Sequence, residues 1–197
     1  MDAVLRPIGF WFLRHGQTDW NAQNLSQGNL EIPLNAHGME QARSAASLLV
    51  GRGIATIVSS PLERARITAD TVAAALGMPV SIDPELHETS FGVMEKQPIA
   101  GAWFTAWIEG RETPEGAESF AALKARVVAA IDRALDNPPL VLVVAHGAFF
   151  RALRAAMGLE PNLRLANATP IWCEPPADGE AAWTLHPLEA AAFLPTP

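Results

Sequence analysis

Three short apolar runs stand out along the chain, and each ends in residues of a different character. Phe10-Trp11-Phe12-Leu13 leads into Arg14-His15-Gly16, and Leu140-Val141-Leu142-Val143-Val144-Ala145 leads into His146-Gly147. Ala55-Thr56-Ile57-Val58 leads into Ser59-Ser60-Pro61-Leu62-Glu63. Uninterrupted apolar runs of this length, without polar alternation, predict strands covered on both faces, as in a parallel sheet. Two of these strands therefore end in a histidine followed by a glycine.

Between the runs the apolar spacing changes to the helical period. Helices are expected over about 36–52, 119–136 and 148–157, the last stopped by Gly158. In the 119–136 segment Phe120, Leu123, Val127, Ile131 and Leu135 form one apolar stripe. A further helix is expected after the Ala55 run, with Ser60 as N-cap, Pro61 at the first helical position, Glu63 completing a capping box and Arg64 in the first turns.

Buried strands alternating with helices imply the α/β class: a three-layer α/β/α sandwich around a mostly parallel central sheet. Ligands of such sheets bind outside the carboxyl ends of the strands, where His15, Arg64 and His146 fall. The length of 197 residues suits a single domain spanning 1–197. Within it the least regular stretch, about 88–118, holds Trp103, Phe104 and Trp107 and is expected to form a partly apolar, cap-like insertion. Those aromatics fit packing better than ligand recognition, and exposed cap tryptophans offer a contact for a homodimer.

Composition narrows the function. A hydrophobic fraction of 49% with 18% charged residues is that of an ordinary globular protein. A net charge of −7 opposes nucleic-acid and anionic-lipid partners, so any phosphate-binding cations must be local. The start of the chain, broken by Pro7 and Gly9, is too short in apolar residues for a signal peptide or membrane span, and a cytoplasmic location is expected. The single cysteine, Cys173, lies in a strand-like apolar segment and is expected to pack as a small hydrophobe. The histidines at 15, 37, 87, 146 and 186 lack metal-ligand spacing, and neither metal nor cofactor is expected.

Arg14-His15-Gly16-Gln17-Thr18, with Asn21 shortly after, resembles the signature of the histidine phosphatase superfamily, in the branch that includes cofactor-dependent phosphoglycerate mutases. The resemblance recurs in order at Ser59-Ser60-Pro61-Leu62-Glu63-Arg64-Ala65-Arg66-Ile67-Thr68-Ala69, Leu86-His87-Glu88 and Val144-Ala145-His146-Gly147. It implies a phosphoglycerate mutase-like fold and a phosphohistidine intermediate on His15. Arg14, Arg64 and His146, with helix N-terminal amides after Ser60 and His146, would surround the phosphoryl oxygens.

The same resemblance makes Glu88 the general acid, with an apolar cap expected to favour its protonated form. The segment departs from the family at Met94-Glu95-Lys96, where an aromatic residue and then Glu-Gly are usual, so Glu85 and Glu95 stand as rival acids. Asn21, Gln27 and Gly147 are expected to contact substrate, Glu31 stands where aspartate is usual, and Arg151 is expected in an ion pair. His37 and His186 have no motif and His87 no assigned task. A mutase should hold a highly anionic bisphosphate under a basic cap, but 88–118 contains only Lys96 and Arg111 as cations. Hydrolysis of a small phosphorylated metabolite is therefore expected ahead of mutase-type transfer or non-catalytic phospho-ligand binding.

Overall fold

The apolar runs lie side by side at the centre of the molecule. The computed structural model describes residues 4–99, 101–177, 182–189 and 192–194. In chain order the elements are β1 (Phe10–Arg14), α1 (Asp19–Ala22), α2 (Ala36–Leu49), β2 (Thr56–Ser59), α3 (Glu63–Leu76), β3 (Val80–Ile82), α4 (Ala102–Ile108) and α5 (Phe120–Ala134). They continue with β4 (Val141–Ala145), α6 (Gly147–Ala156), β5 (Arg164–Leu165), β6 (Pro170–Glu174), β7 (Thr184–Pro187) and β8 (Phe193–Leu194). Among the described residues the main sheet has six strands in the order β3-β2-β4-β1-β6-β7. β1 to β4 run parallel, with Leu13 opposite Val144 and Val58 opposite Val143, whereas β6 and β7 extend the sheet antiparallel.

The pleat divides the central side chains between two layers. Phe10, Phe12, Val141, Val143 and Ala145 pack with α5 and α6 on one face. Trp11, Leu13, Leu142 and Val144 pack with α2 and α3 on the other. The strands lack alternation because both faces are covered, which is the expected three-layer α/β/α arrangement. Phe12 shows the density of this core: it is fully buried, its ring 4.7 Å from that of Phe150 and 6.3 Å from that of Phe149.

The long helices α2 and α5 start on the side-chain caps their sequences offer. Asn35 accepts from Gly38 N at 2.8 Å to begin α2, and Ser119 accepts from Ala122 N at 3.2 Å to begin α5. The cap expected at Ser60 does not form. Helix α3 begins at Glu63 with Leu62 in the N-cap position and no side-chain cap bond. Ser60 Oγ instead accepts from Leu62 N and lies 2.7 Å from His146 Nε2, while Glu31 Oε2 accepts from Glu63 N at 3.0 Å. The Ser60 hydroxyl thus links the residue before its own helix to a distant histidine.

The 88–118 stretch is more ordered than its sequence implied, because it contains α4. Phe91, Phe104, Trp107 and Phe120 interlock with centroid spacings of 5.2 to 6.1 Å, fastening the insertion to α5. Trp107 is fully buried and donates from Nε1 to Glu118 O at 2.8 Å, so it is not available as an exposed dimer contact. Gly92 has φ +57°, and a Cβ there would meet Glu115 O at 2.0 Å, so glycine is required where the insertion folds back on itself.

Cys173 packs in the core as expected, and burial pushes its thiol pKa far up. Among the described residues no helix is long and apolar enough to cross a membrane.

Candidate active site

The parallel strands deliver their polar ends to one place. His15 directly follows β1, Ser60 directly follows β2, and His146 follows β4 as the N-cap of α6. One pocket opens there, lined by Arg14, His15, Asn21, Gln27, Arg64, Glu88, Gly147, Arg151 and Arg164 on its polar side. Leu25, Phe91, Ile99 and Phe104 supply apolar wall.

His15 is 2% exposed and its Nδ1 lies 2.7 Å from Gly16 O. A carbonyl only accepts, so Nδ1 carries the proton and Nε2 holds the free lone pair of the neutral ring. Burial, then the charges of Arg64 and Arg14, drive its pKa well below 6.5 against the raising effect of the Gly16 bond. A neutral imidazole with one nitrogen anchored is a nucleophile poised at neutral pH.

His146 is fully buried, its ring centroid 5.2 Å from that of His15, and it stands behind the pocket wall rather than in it. Its pKa is likewise lowered, first by burial and then by Arg64 and His15. With Nε2 at Ser60 Oγ, its Nδ1 is a buried ring nitrogen with no hydrogen-bond partner among the described residues.

Arg14 and Arg64 flank His15. Arg14 donates from Nη1 to Leu165 O at 2.5 Å, and Arg64 to Leu30 O at 2.7 Å and Gly28 O at 2.8 Å. Their Nε atoms are buried and unpartnered among the described residues, as is Gln27 Oε1. Arg14 is lowered to about 9 by burial and then by Arg164, with Glu88 opposing, so it keeps its charge at neutral pH. Thr68, one turn beyond Arg64, accepts from Gly16 N at 3.0 Å and locks α3 to the end of β1.

Glu88 is 6% exposed, but its surroundings differ from the expected apolar cap. Oε1 accepts from Thr89 N and Phe149 N, and Oε2 accepts from Ala148 N, at 2.9 to 3.0 Å. The carboxylate occupies the N-terminus of α6, so the amides of Ala148 and Phe149, expected to hold phosphoryl oxygens, are already taken. Of the rival acids, Glu85 is exposed, and neither it nor Glu95 lines the pocket. Gly147 does line it, and a Cβ there would come within 3.2 Å of Arg14 Nε.

Asn21 Oδ1 accepts from Thr18 N and from Asn167 Nδ2, both at 3.1 Å, which leaves its Nδ2 amide to offer a ligand. Arg151 lies over the Phe104 ring at 5.0 Å and donates to Asn162 Oδ1 at 2.7 Å. His87 lies outside the pocket, with Nδ1 2.6 Å from Glu88 O, and His37 and His186 are exposed. Sequence reasoning did not single out Arg164 or Asn167. Arg164 lines the pocket and donates to Asn24 Oδ1 at 2.6 Å, and Asn167 donates to His15 O at 2.9 Å. Neither lies in a periodic segment, and no sequence signal marked them.

Fold and pocket define an α/β protein with a histidine-and-arginine anion site at the ends of its parallel strands. Residues 10–175 match the model of the histidine phosphatase superfamily (branch 1), and the chain belongs to that superfamily of enzymes. It is 38% identical to a protein of Yersinia enterocolitica named "Probable phosphoglycerate mutase GpmB", with 81% of each chain covered. Among solved structures it is similar to a mycobacterial glucosyl-3-phosphoglycerate phosphatase in complex with VO3. That match has a TM-score of 0.79 and 31% identity over 93% of this chain and 99% of that one. The complex of that phosphatase with inorganic phosphate matches with a TM-score of 0.75 and 30% identity, over 90% and 95% of the two chains.

Proposed function

We propose that this chain is a metal-independent phosphatase that hydrolyses a small phosphate monoester through a phosphohistidine on His15. The observation that carries this reading is the anchored Nδ1 of His15, which leaves Nε2 unprotonated in a pocket walled by Arg14 and Arg64. In the first step Nε2 attacks phosphorus, the phosphorus–oxygen ester bond breaks, and the electron pair goes to the leaving alkoxide. Protonated Glu88 gives its proton to that oxygen. In the second step Glu88 takes a proton from water as the water oxygen bonds to phosphorus, the phosphorus–nitrogen bond breaks, and the lone pair returns to Nε2.

Arg14 and Arg64 stabilise the equatorial oxygens, and His146 steadies the far side of the His15 ring environment. Asn21, Gln27 and Gly147 complete the substrate contacts. The reading includes a single domain over 1–197 and a cytoplasmic location.

Hydrolysis is favoured over mutase-type transfer by where the insertion's cations lie. Arg111 is exposed and paired with Glu109, Lys96 is exposed, and neither lines the pocket. The test is phosphate release from p-nitrophenyl phosphate and a panel of natural monoesters, with and without chelator, for wild type and His15→Ala. Chelator-resistant release that disappears in His15→Ala is expected. Absence of release from every ester, with transfer to a phosphorylated acceptor instead, overturns hydrolysis in favour of the mutase reading.

A further inference from the structure

The turn between β5 and β6 grips the end of β1 with two successive residues. Ala168 N donates to Arg14 O at 3.0 Å and to His15 O at 3.3 Å, and Asn167 Nδ2 donates to His15 O at 2.9 Å. Ala168 has φ +49°, a left-handed conformation uncommon for a residue with a Cβ, so the turn keeps its course against a local backbone cost. The same Asn167 nitrogen donates to Asn21 Oδ1 at 3.1 Å. Asn21 lines the pocket and Asn167 does not.

The polarity of these bonds runs one way. His15 O is a peptide carbonyl and only accepts, so the end of the Asn167 amide that faces it is the NH2. That group has two hydrogens, and the second goes to Asn21, which must present its oxygen in return. Thr18 N, 3.1 Å from the same oxygen, makes the same demand. The two ends of an amide have nearly the same shape, so hydrogen bonds alone decide which way it points. Held this way, Asn21 offers donors to the pocket. Turned over, it would set an acceptor against an anion.

We infer that Asn167 is a positioning residue that fixes the Asn21 amide with its nitrogen toward the phosphoryl group. This rests on the phosphatase reading, in which Asn21 touches the substrate, and adds to it the residue that decides whether Asn21 attracts or repels the anion. Asn167 carries the polarity of the nucleophile's own peptide to a side chain that meets the ligand.

Asn167→Asp keeps the size of the side chain but replaces its donors with acceptors, which would accept from Asn21 Nδ2 and turn that amide over. The added charge alone would also weaken anion binding, so Asn167→Asp and Asn167→Ala are each made in wild type and in Asn21→Ala. Calorimetric binding of inorganic phosphate at neutral pH is measured with kcat/KM for p-nitrophenyl phosphate and the melting temperature. Asn167→Asp is expected to weaken phosphate binding by roughly ten- to hundredfold in wild type, but by about threefold or less in Asn21→Ala. Asn167→Ala leaves Thr18 N as the remaining donor and should cost about two- to fivefold in wild type and nothing further in Asn21→Ala. kcat/KM should follow the same pattern and is read by the same criterion.

Equal losses in the two backgrounds, or binding unchanged by both substitutions, overturn the role. If Asn167→Asp does not fold, the Asn167→Ala pair decides. Phosphate binding that follows the expected pattern in a protein that hydrolyses no ester keeps the role of Asn167 while the phosphatase reading falls. Hydrolysis with equal losses in both backgrounds removes the role and keeps that reading. A wild type that neither binds phosphate nor hydrolyses an ester overturns both.

Discussion

Arginines on α5 and arginines in the pocket are treated in opposite ways. Arg126 forks onto Glu118 at 2.7 and 2.9 Å, and Arg133 forks onto Asp83 at 2.8 and 2.9 Å. Arg14 and Arg64 are almost fully buried, yet their hydrogen bonds go to backbone carbonyls. A buried cation without a carboxylate costs desolvation that neutral oxygens repay only in part. The α5 pairs neutralise charge and fasten elements together. The pocket arginines are oriented but left positive, which is what a site for an anion requires.

Changes on either side of that contrast should separate activity from stability. Arg64→Ala is expected to lower kcat/KM for any phosphate monoester by about 10²- to 10³-fold, read by steady-state kinetics. A loss below about tenfold would mean that Arg64 does not touch the transferred group. Glu88→Gln should be selective: alkyl phosphates, which need a proton on the leaving oxygen, lose about 10²-fold or more, whereas p-nitrophenyl phosphate loses much less. Equal losses for both, together with a lower melting temperature, would reduce Glu88 to a tether for the N-terminus of α6.

The pH profile probes the same pocket charge. Neutral His15 is the reactive form, and its pKa lies well below 6.5, so the acid limb of kcat/KM should fall well below that value. A limb centred at the ordinary histidine value would contradict the assignment. Stability moves in the same direction. The unfolded chain takes up protons at His15 and His146 below about 6.5 and the folded chain does not, so folding weakens as pH falls through that value. The slope is at most about 1.4 kcal/mol per pH unit for each histidine, measurable by denaturation at stepped pH.

Arg133→Ala is the smallest effect. Its side chain is 48% exposed, so a stability loss of about 1 kcal/mol or less is expected, with kcat/KM unchanged.

What the sequence made legible follows from how locally each feature is determined. Burial on both faces erases polar alternation, so β1, β2 and β4 could be read as central strands, and the polar residues at their ends marked the pocket. The Arg14-His15-Gly16 and His146-Gly147 segments were legible for the same reason. Ser60 looked like a cap because local rules favour it there, but its hydroxyl is taken by His146, 86 residues away. Glu88 lines the pocket, but its surroundings were not legible, since two of the amides that donate to it come from a helix far along the chain. Arg164 and Asn167 left no trace in any period, because their roles arise only when β5 and the turn after it fold over the end of β1.

The most direct test of the account is rapid chemical quench of wild-type enzyme during turnover of a monoester, followed by mass-spectrometric localisation of any acid-labile phosphoryl group. A phosphoryl group on His15, formed and consumed at rates compatible with turnover and absent from His15→Ala, is the predicted result. Sustained hydrolysis with no phosphoryl group on His15, or with one on another residue, would contradict it.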